Sequence, residues 1–211
     1  VYGTTGARIH LDVTCNGRPM GSVITKTTGQ EPRLQVRVHG TAPIERVEVR
    51  NAMKVLTPRR PYQRADLANR VKILWQGSEV RGRGRQTNWD GSLRITGNQI
   101  TRLQTVNFLN PEKECQRQGP RHVNWESTTT GGAAGLILSL AKGRSGQLVI
   151  ETTQKRAKLS LANLGIRGRT YQTGGLDKQL SVYPLPRAGG EKEHGAVGRT
   201  QEVPDECPDD Q

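Results

Sequence analysis

The sequence is poor in the residues from which cores and catalytic sites are usually built. Its 211 residues include three Cys, four His and one Phe, and the aromatic residues make up 4%. Val, Ile, Leu and Phe sum to 44 residues, close to the ~20% below which a highly charged chain tends to stay unfolded. No run of ~18 apolar residues is present, so we predict no membrane-spanning helix and no membrane partner.

The cysteines exclude several small folds. Cys15, Cys115 and Cys207 lie far apart and form no C-x-x-C pair, so zinc-ribbon and thioredoxin-like domains are excluded. Unpaired thiols in a reducing compartment are the favoured interpretation, and a Cys15–Cys115 disulfide in an exported protein is the alternative. A cytoplasmic location is therefore slightly favoured over a periplasmic one.

Metal-ligand and nucleophile motifs are missing as well. The four histidines, His10, His39, His122 and His194, form no H-x-H, H-x-x-H or H-E-x-x-H pattern. His10 and Asp12 share one face of a predicted strand and could be two ligands, but a metal site needs three or four, and a solvent-facing polar pair is the alternative. With no G-x-S-x-G motif either, we predict no catalytic residue, no metal ligand and no cofactor in this chain.

Alternation of apolar and polar residues dominates what is present. Apolar residues recur at every second position in 9–13, 34–38, 47–49, 71–75, 93–95, 136–140, 148–150, 159–161 and 180–182. Turn dipeptides separate many of these segments: Asn16-Gly17, Gln76-Gly77, Asp90-Gly91, Gly97-Asn98, Ser145-Gly146 and Gly174-Gly175. Such spacing is typical of a sandwich or barrel, and we predict an all-β, antiparallel β-sandwich.

Few segments depart from this pattern. Residues 60–70, with Pro61 near the start, predict a short helix, and residues 161–164 predict a single turn that Gly165 ends. The polar stretch 110–120 predicts a long loop. At most one or two short helices are therefore expected.

The charge changes sign near Pro186. Residues 187–211 hold three Lys and Arg against seven Asp and Glu, so their net charge is −4. Because the whole chain has a net charge of +13, residues 1–186 have a net charge of +17. A polar acidic segment cannot bury enough apolar surface to offset its chain entropy. We predict a β-sandwich domain over 1–186 and a disordered acidic tail over 187–211.

The most distinctive segment alternates arginine with glycine. Arg81, Arg83 and Arg85 on one strand would form a row of cations ~7 Å apart, and Trp89 could stack on a base, a sugar or an arginine plane. These four residues are the candidate binding site for an anion or nucleic acid. The alternative is a charged edge strand with Trp89 in the core and Asp90-Gly91 in a hairpin turn.

A hydroxyl-rich run, Ser127 to Thr130 followed by two glycines, permits two interpretations. A phosphate cradle would need a lysine and a following helix. Here an apolar segment follows, with no lysine before Lys142. A flexible glycine-containing segment that leads into the next strand is therefore favoured.

Several segments within about 1–186 carry motifs of a known family. They are Tyr2–Ile9, Asn16-Gly17-x-Pro19-Met20-Gly21, Pro43–Asn51, Arg81–Arg85, Trp89-Asp90-Gly91 and Thr128–Gly132. These motifs resemble the junction and C-terminal β domain of a bacterial family of large PHP-like (polymerase-and-histidinol-phosphatase type) metallohydrolases of unknown substrate.

The resemblance implies an accessory role. In that family the His and Asp metal ligands belong to an upstream catalytic domain, so none of them falls on this chain. The expected function is a non-catalytic accessory domain of a metal-dependent hydrolase, with sequence upstream of Val1 and the hydrolase domain of the same polypeptide as partner. The alternative is a stand-alone basic module that binds nucleic acid or another polyanion. The +17 body alone predicts only non-specific attraction to nucleic acid.

Overall fold

The computed structural model describes residues 8–25, 31–41, 44–52 and 54–187, and the backbone of 201–203. Within these residues the only helix is a 3₁₀ turn, Arg64–Asp66. The strands are β1 (Ile9–Cys15), β2 (Arg18–Pro19), β3 (Leu34–Gly40), β4 (Val47–Asn51), β5 (Lys54–Arg59), β6 (Leu67–Ser78), β7 (Thr87–Asn88), β8 (Gly91–Thr96), β9 (Ile100–Val106), β10 (Cys115–Arg117), β11 (His122–Trp125), β12 (Thr128–Thr129), β13 (Ala133–Leu140), β14 (Gln147–Thr152), β15 (Arg156–Ser160), β16 (Arg169–Gln172), β17 (Leu176–Pro186) and β18 (Gln201–Val203). The all-β prediction is confirmed.

The chain divides into two compact units, and the first combines Val1–Glu45 with Glu191–Gln211. Its four-stranded sheet has the order β18-β3-β1-β2. Asn16 and Gly17, with φ of 50° and 75°, form the predicted turn between β1 and β2, because a tight hairpin turn of this kind needs positive φ at both positions. Strand β18 belongs to the predicted acidic tail, of which residues 188–200 and 204–211 lie outside the described residues.

The second unit, Arg46–Gly190, contains two five-stranded antiparallel sheets. The first sheet has the order β16-β17-β6-β13-β9 and the second the order β10-β11-β8-β14-β15. Side chains from both sheets meet in one buried cluster. This arrangement is the predicted sandwich, with the β4–β5 hairpin and the short β7–β12 pair as additions.

The alternation in the sequence explains which side chains form the core. Val71, Ile73 and Trp75 on β6 have 0% exposure. Ile73 lies opposite Leu136 on β13, and Trp75 lies opposite Leu180 on β17. Burying each such side chain contributes ~1.5–3 kcal/mol, so a sequence with few apolar residues can still stabilise a core when they occupy the inward-facing positions.

One buried amide joins two of the predicted turns. Asn98 is 1% exposed and follows Gly97 in the turn between β8 and β9. Its Nδ2 donates to the backbone oxygens of Gly143 (3.1 Å) and Ser145 (2.9 Å), and its Oδ1 accepts from the Lys142 N–H at 3.0 Å. The β13–β14 connection is thereby fixed to the β8–β9 turn.

Two of the non-strand predictions are wrong. The helix expected over 60–70 is reduced to Arg64–Asp66, where a reciprocal cap between Gln63 and Asp66 closes one turn, because the apolar alternation of β6 already begins at Leu67. The loop expected over 110–120 contains β10, whose half-buried Cys115 packs against the core.

The turn expected at Gln76-Gly77 is also wrong. Strand β6 continues to Ser78, and Gly77 has φ of 86° inside it, directly against the backbone of Asp177 and Lys178. The facing strand β17 is bulged between Leu176 and Gln179. Glycine is needed here because a Cβ would clash with the facing backbone, and a glycine in the sequence can therefore mark a close approach of two strands as well as a turn.

Candidate functional site

The arginines of the Arg-Gly segment lie in a loop. We call residues 79–86, between β6 and β7, the arginine loop; it consists of bends and a turn, with Gly82 at φ of 88°. The predicted strand row of cations is therefore wrong, because Gly82 and Gly84 favour turns over extended pairing. Arg81, Arg83 and Arg85 are all exposed.

Trp89 lies in the core and is not part of the exposed site. It has 0% exposure, and its Nε1 donates to Thr129 Oγ1 at 3.0 Å. The Trp89 carbonyl accepts from Trp125 Nε1 at 2.8 Å. A buried ring cannot stack on a ligand, so this position agrees with the structural alternative. The hairpin turn expected at Asp90-Gly91 is absent, since Gly91 begins β8.

The hydroxyl-rich run binds the indole groups of the core. Ser127 Oγ accepts from Trp75 Nε1 at 2.9 Å, and Thr129 Oγ1 accepts from Trp89. The Trp75 ring also stacks on Trp125, with centroids 5.0 Å apart. Buried N–H groups need acceptors, and the run supplies them. The strand β13 follows at once, so the run is a strand entry and not a phosphate cradle.

A buried lysine holds the first end of the arginine loop. Lys178 is 7% exposed, and its ammonium forms an ion pair with Glu79, the first residue of the loop. The same ammonium donates to Gln154 Oε1 at 3.2 Å. A buried charge is stable only when paired, so this contact fixes Glu79 in place.

The other end of the loop is held through the same network. Gln154 Nε2 donates to the Asn88 carbonyl at 3.0 Å, and Thr153 Oγ1 donates to that oxygen at 2.7 Å. Lys178 and Gln154 therefore connect the two strands from which the loop emerges. The three arginines project from a segment whose ends are both fixed.

The glycines after the hydroxyl run lie beside the loop. A Cβ on Gly131 would come 3.9 Å from Arg85 Cδ and 4.0 Å from Ser78 Oγ. Gly132 O accepts from the Gly77 N–H at 3.3 Å. The fold thus brings together the Arg-Gly and Thr-Gly segments, which are about 45 residues apart in sequence.

A second ion-pair network supports the same region. Arg50 Nε, on the β4–β5 hairpin, donates to Glu48 Oε2 at 2.9 Å, and this hydrogen bond raises the pKa of Arg50. Arg50 Nη1 also lies 3.5 Å from Asp177 Oδ2, next to Lys178. The hairpin is thereby tied to the bulge in β17 that carries the buried ammonium.

The electrostatics of the arginine loop are one-sided. Residues 46–187 contain 25 Lys and Arg against 9 Asp and Glu. Glu79, the only carboxylate of the loop, is neutralised by Lys178. Within the described residues no carboxylate pairs with Arg81, Arg83 or Arg85. The loop therefore carries three exposed cations.

The other titratable candidates form no site. His10 stacks on His39, with centroids 6.1 Å apart, and Asp12 Oδ2 lies 3.6 Å from Arg37 Nη1. No group of three His, Cys, Asp or Glu side chains in the described residues could hold a metal ion. Cys15 and Cys115 are both free thiols, and burial raises the pKa of Cys115 to about 11.

Sequence reasoning missed the residues that hold the loop. Lys178 occupies an inward-facing position between Leu176 and Leu180. A lysine among the inward-facing residues of a strand indicates a buried, paired charge, and the sequence pattern alone contains this signal. Its partner Glu79 is 99 residues away, a distance that no local pattern spans.

The comparisons with known proteins give no further identification. No family model, curated protein or solved structure matches this chain. Of the helices that the structure describes, none has the length and hydropathy to cross a membrane.

Proposed function

We propose that this chain is a non-catalytic binding domain that presents the arginine loop to an anionic group, as the accessory domain of a metal-dependent hydrolase. The observation that carries the proposal is the attachment of the loop. Its first residue, Glu79, pairs with the buried Lys178 ammonium, and the strand that follows the loop is held at Asn88 by Gln154 and Thr153, while the three arginines are exposed.

Arginine is suited to this role. Its planar guanidinium presents five donors and binds carboxylate, sulfate or phosphate through two parallel hydrogen bonds. A fixed loop loses less conformational entropy on binding than a mobile one. The arginine loop therefore meets two requirements for anion recognition, namely cations without a carboxylate partner in the described residues and anchored ends.

The accessory role is supported by the family resemblance. Arg81–Arg85, Trp89-Asp90-Gly91 and Thr128–Gly132 are among the motifs that resemble the C-terminal domain of the PHP-like hydrolases, and they belong to the arginine loop and the segments next to it. In such an arrangement the catalytic metal would be held by the hydrolase domain, and this domain would contribute binding of anionic substrate groups. The reading frame that encodes the chain should then carry His and Asp metal motifs upstream of Val1.

The experiment is a calorimetric titration with inorganic tripolyphosphate at 0.15 M salt, where the Debye length is ~8 Å and long-range attraction is largely screened. The test variant replaces Arg81, Arg83 and Arg85 by Gln. Its control replaces Arg102, Arg167 and Arg169 by Gln, which are exposed and make the same change in charge.

We expect the loop variant to bind roughly tenfold more weakly than the control, from ~0.2–1 kcal/mol for each exposed charge contact. An equal decrease in both variants would show that only the overall charge matters and would overturn the binding site.

The second candidate function, a stand-alone polyanion-binding module, is favoured by the 25-to-9 excess of cations in residues 46–187. A salt titration of oligonucleotide binding separates it from the first. Binding that disappears by 0.15 M salt favours the accessory domain, whereas tight, salt-resistant binding favours the stand-alone module.

A further inference from the structure

The segment between β12 and β13 carries backbone donors that no other group of the described chain accepts. We call its residues, Thr130, Gly131 and Gly132, the amide turn. All three are exposed, and within the described residues their N–H groups donate no hydrogen bond. Backbone N–H groups are strong donors that are nearly always paired or hydrated. These three are therefore open to an acceptor from outside the chain.

The backbone conformation of the amide turn suits an anion. Gly131 has φ of 94°, whereas Thr130 before it does not have positive φ. Turns in which an ordinary residue is followed by one of positive φ bring successive N–H groups to a concavity that binds anions. Glycine permits this conformation, which is strained for a residue with a Cβ.

Contacts on both sides hold the amide turn against the first sheet. Before it, Thr129 Oγ1 donates to the Gly77 carbonyl at 3.1 Å. Within it, the Gly132 carbonyl accepts from the Gly77 N–H at 3.3 Å. After it, the Ala133 carbonyl accepts from Asn107 Nδ2 at 2.8 Å. The position of the turn is therefore set by β6 and by the end of β9.

Arg85 is the arginine that lies against the amide turn. A Cβ on Gly131 would come 3.9 Å from Arg85 Cδ, the carbon that is bonded to the first nitrogen of the guanidinium. The rest of the arginine loop has open surroundings. A Cβ on Gly82 would meet no atom within 4 Å, and one on Gly84 would meet only Val80 of the same loop. The structure thus distinguishes Arg85 from the other two arginines of the loop.

The acidic side chains of the neighbouring segments are bound to other groups. Glu79 forms its ion pair with Lys178. Asp177 accepts a side-chain amide at 2.7 Å, and Asp90 accepts a backbone N–H at 2.8 Å. These carboxylates therefore have partners other than the guanidinium and the N–H groups beside the amide turn.

We infer that the amide turn and Arg85 together form one site for a tetrahedral oxyanion, such as a phosphate group. The inference deepens the proposed function and rests on it, because Arg85 belongs to the arginine loop. The guanidinium would bind two oxygens through parallel hydrogen bonds, and the N–H groups of Gly131 and Gly132 would bind another. Arg81 and Arg83 would contribute charge alone.

A carboxylate fits this pair of donor groups less well. The fork of one guanidinium binds both of its oxygens, which leaves the amide turn, on a separate segment, without an acceptor. A phosphate group has a further oxygen that points away from the fork. The site has neither the lysine nor the helix of a nucleotide-phosphate cradle. Its donors are backbone groups, because the hydroxyls of Ser127 and Thr129 are bound to the core indoles.

The test is a calorimetric titration of the full chain with tripolyphosphate at 0.15 M salt, where long-range attraction is largely screened. Citrate, which has carboxylates only, is the second ligand. Arg85→Gln is compared with Arg81→Gln, which makes the same change in charge. Gly131→Ala is compared with Gly132→Ala, because Gly132 lacks positive φ and a Cβ there would meet no atom within 4 Å. Circular dichroism confirms that each variant is folded.

We expect Arg85→Gln and Gly131→Ala each to bind tripolyphosphate about fivefold more weakly, as for the loss of a hydrogen bond. Arg81→Gln and Gly132→Ala should stay within about twofold of the wild type. Citrate should bind more weakly than tripolyphosphate, and Gly131→Ala should change its affinity by less than about twofold. If Gly131→Ala does not fold, the comparison of Arg85→Gln with Arg81→Gln decides.

Equal losses in Arg85→Gln and Arg81→Gln, or unchanged binding by the folded Gly131→Ala, would overturn the inference and leave the arginine loop as an anion site. The same dependence on Gly131 for citrate as for tripolyphosphate would overturn the assignment to a tetrahedral group. If the variant that replaces all three arginines of the loop binds no more weakly than its control, the proposed function fails, and this inference fails with it.

Discussion

The ion pair between Lys178 and Glu79 predicts an unusual asymmetry between two mutations. The Lys178 side chain is 8% exposed, whereas that of Glu79 is 63% exposed. Replacing Glu79 by Ala leaves a buried ammonium with Gln154 as its remaining polar partner, and we expect a loss of about 3 kcal/mol, the low end for removing one partner of a buried pair. Replacing Lys178 by Met leaves a carboxylate that water can hydrate, so the expected loss is about 1 kcal/mol. The exposed partner is therefore the more costly one to remove.

Urea unfolding followed by tryptophan fluorescence measures both changes. All three tryptophans lie in the unit Arg46–Gly190, so the signal reports the unit that contains the ion pair. With a denaturant slope of ~1–3 kcal/mol per molar, the two variants should differ in midpoint by about 1 M. Glu112→Ala, which removes a carboxylate from an exposed loop, should change stability by less than ~0.5 kcal/mol. If Lys178→Met is as destabilising as Glu79→Ala, the ammonium is not the group that depends on its partner, and the reasoning is refuted.

Two further predictions concern the core. Trp89→Ala should lower the free energy of unfolding by about 3–5 kcal/mol. Trp89→Phe keeps a ring but loses the hydrogen bond to Thr129, so it should lower the free energy of unfolding by less and leave the tripolyphosphate affinity unchanged in the titration above. Weaker binding by the folded Phe variant would contradict the buried position of Trp89. Because burial raises the pKa of Cys115 from 9.0 to about 11, its contribution to stability is complete below about pH 9 and is lost as the pH rises toward 11. Urea midpoints at pH 8 and pH 10 should therefore fall further in the wild type than in Cys115→Ala, and identical pH dependence in the two proteins would show that this thiol is not buried.

Local patterns predicted the strands because each strand is decided by its own alternation. Val71, Ile73 and Trp75 needed only a period of two to be assigned to the core. The helix expected over 60–70 failed because the same residues also begin the alternation of β6, and packing against β13 and β17 outweighs a weak helical preference.

The candidate site was less predictable than the fold. Arg81, Arg83 and Arg85 were identified as exposed cations, but their conformation was not, because glycine permits a loop where alternation suggests a strand. The hydroxyls of Ser127 and Thr129 are explained only by indoles on other segments, 52 and 40 residues away. Contacts of this kind depend on the tertiary fold and leave no local signature.

The central claim, that the arginine loop is a specific anion site, is tested most directly by nuclear magnetic resonance. Backbone amide shifts of the isotope-labelled chain are followed while tripolyphosphate is added at 0.15 M salt. We predict saturable shifts concentrated in residues 79–86 and in the neighbouring Thr130 to Gly132, which are lost in the Arg81/Arg83/Arg85 variant. Shifts that are scattered over basic residues throughout 46–187, or that do not saturate, would contradict the claim.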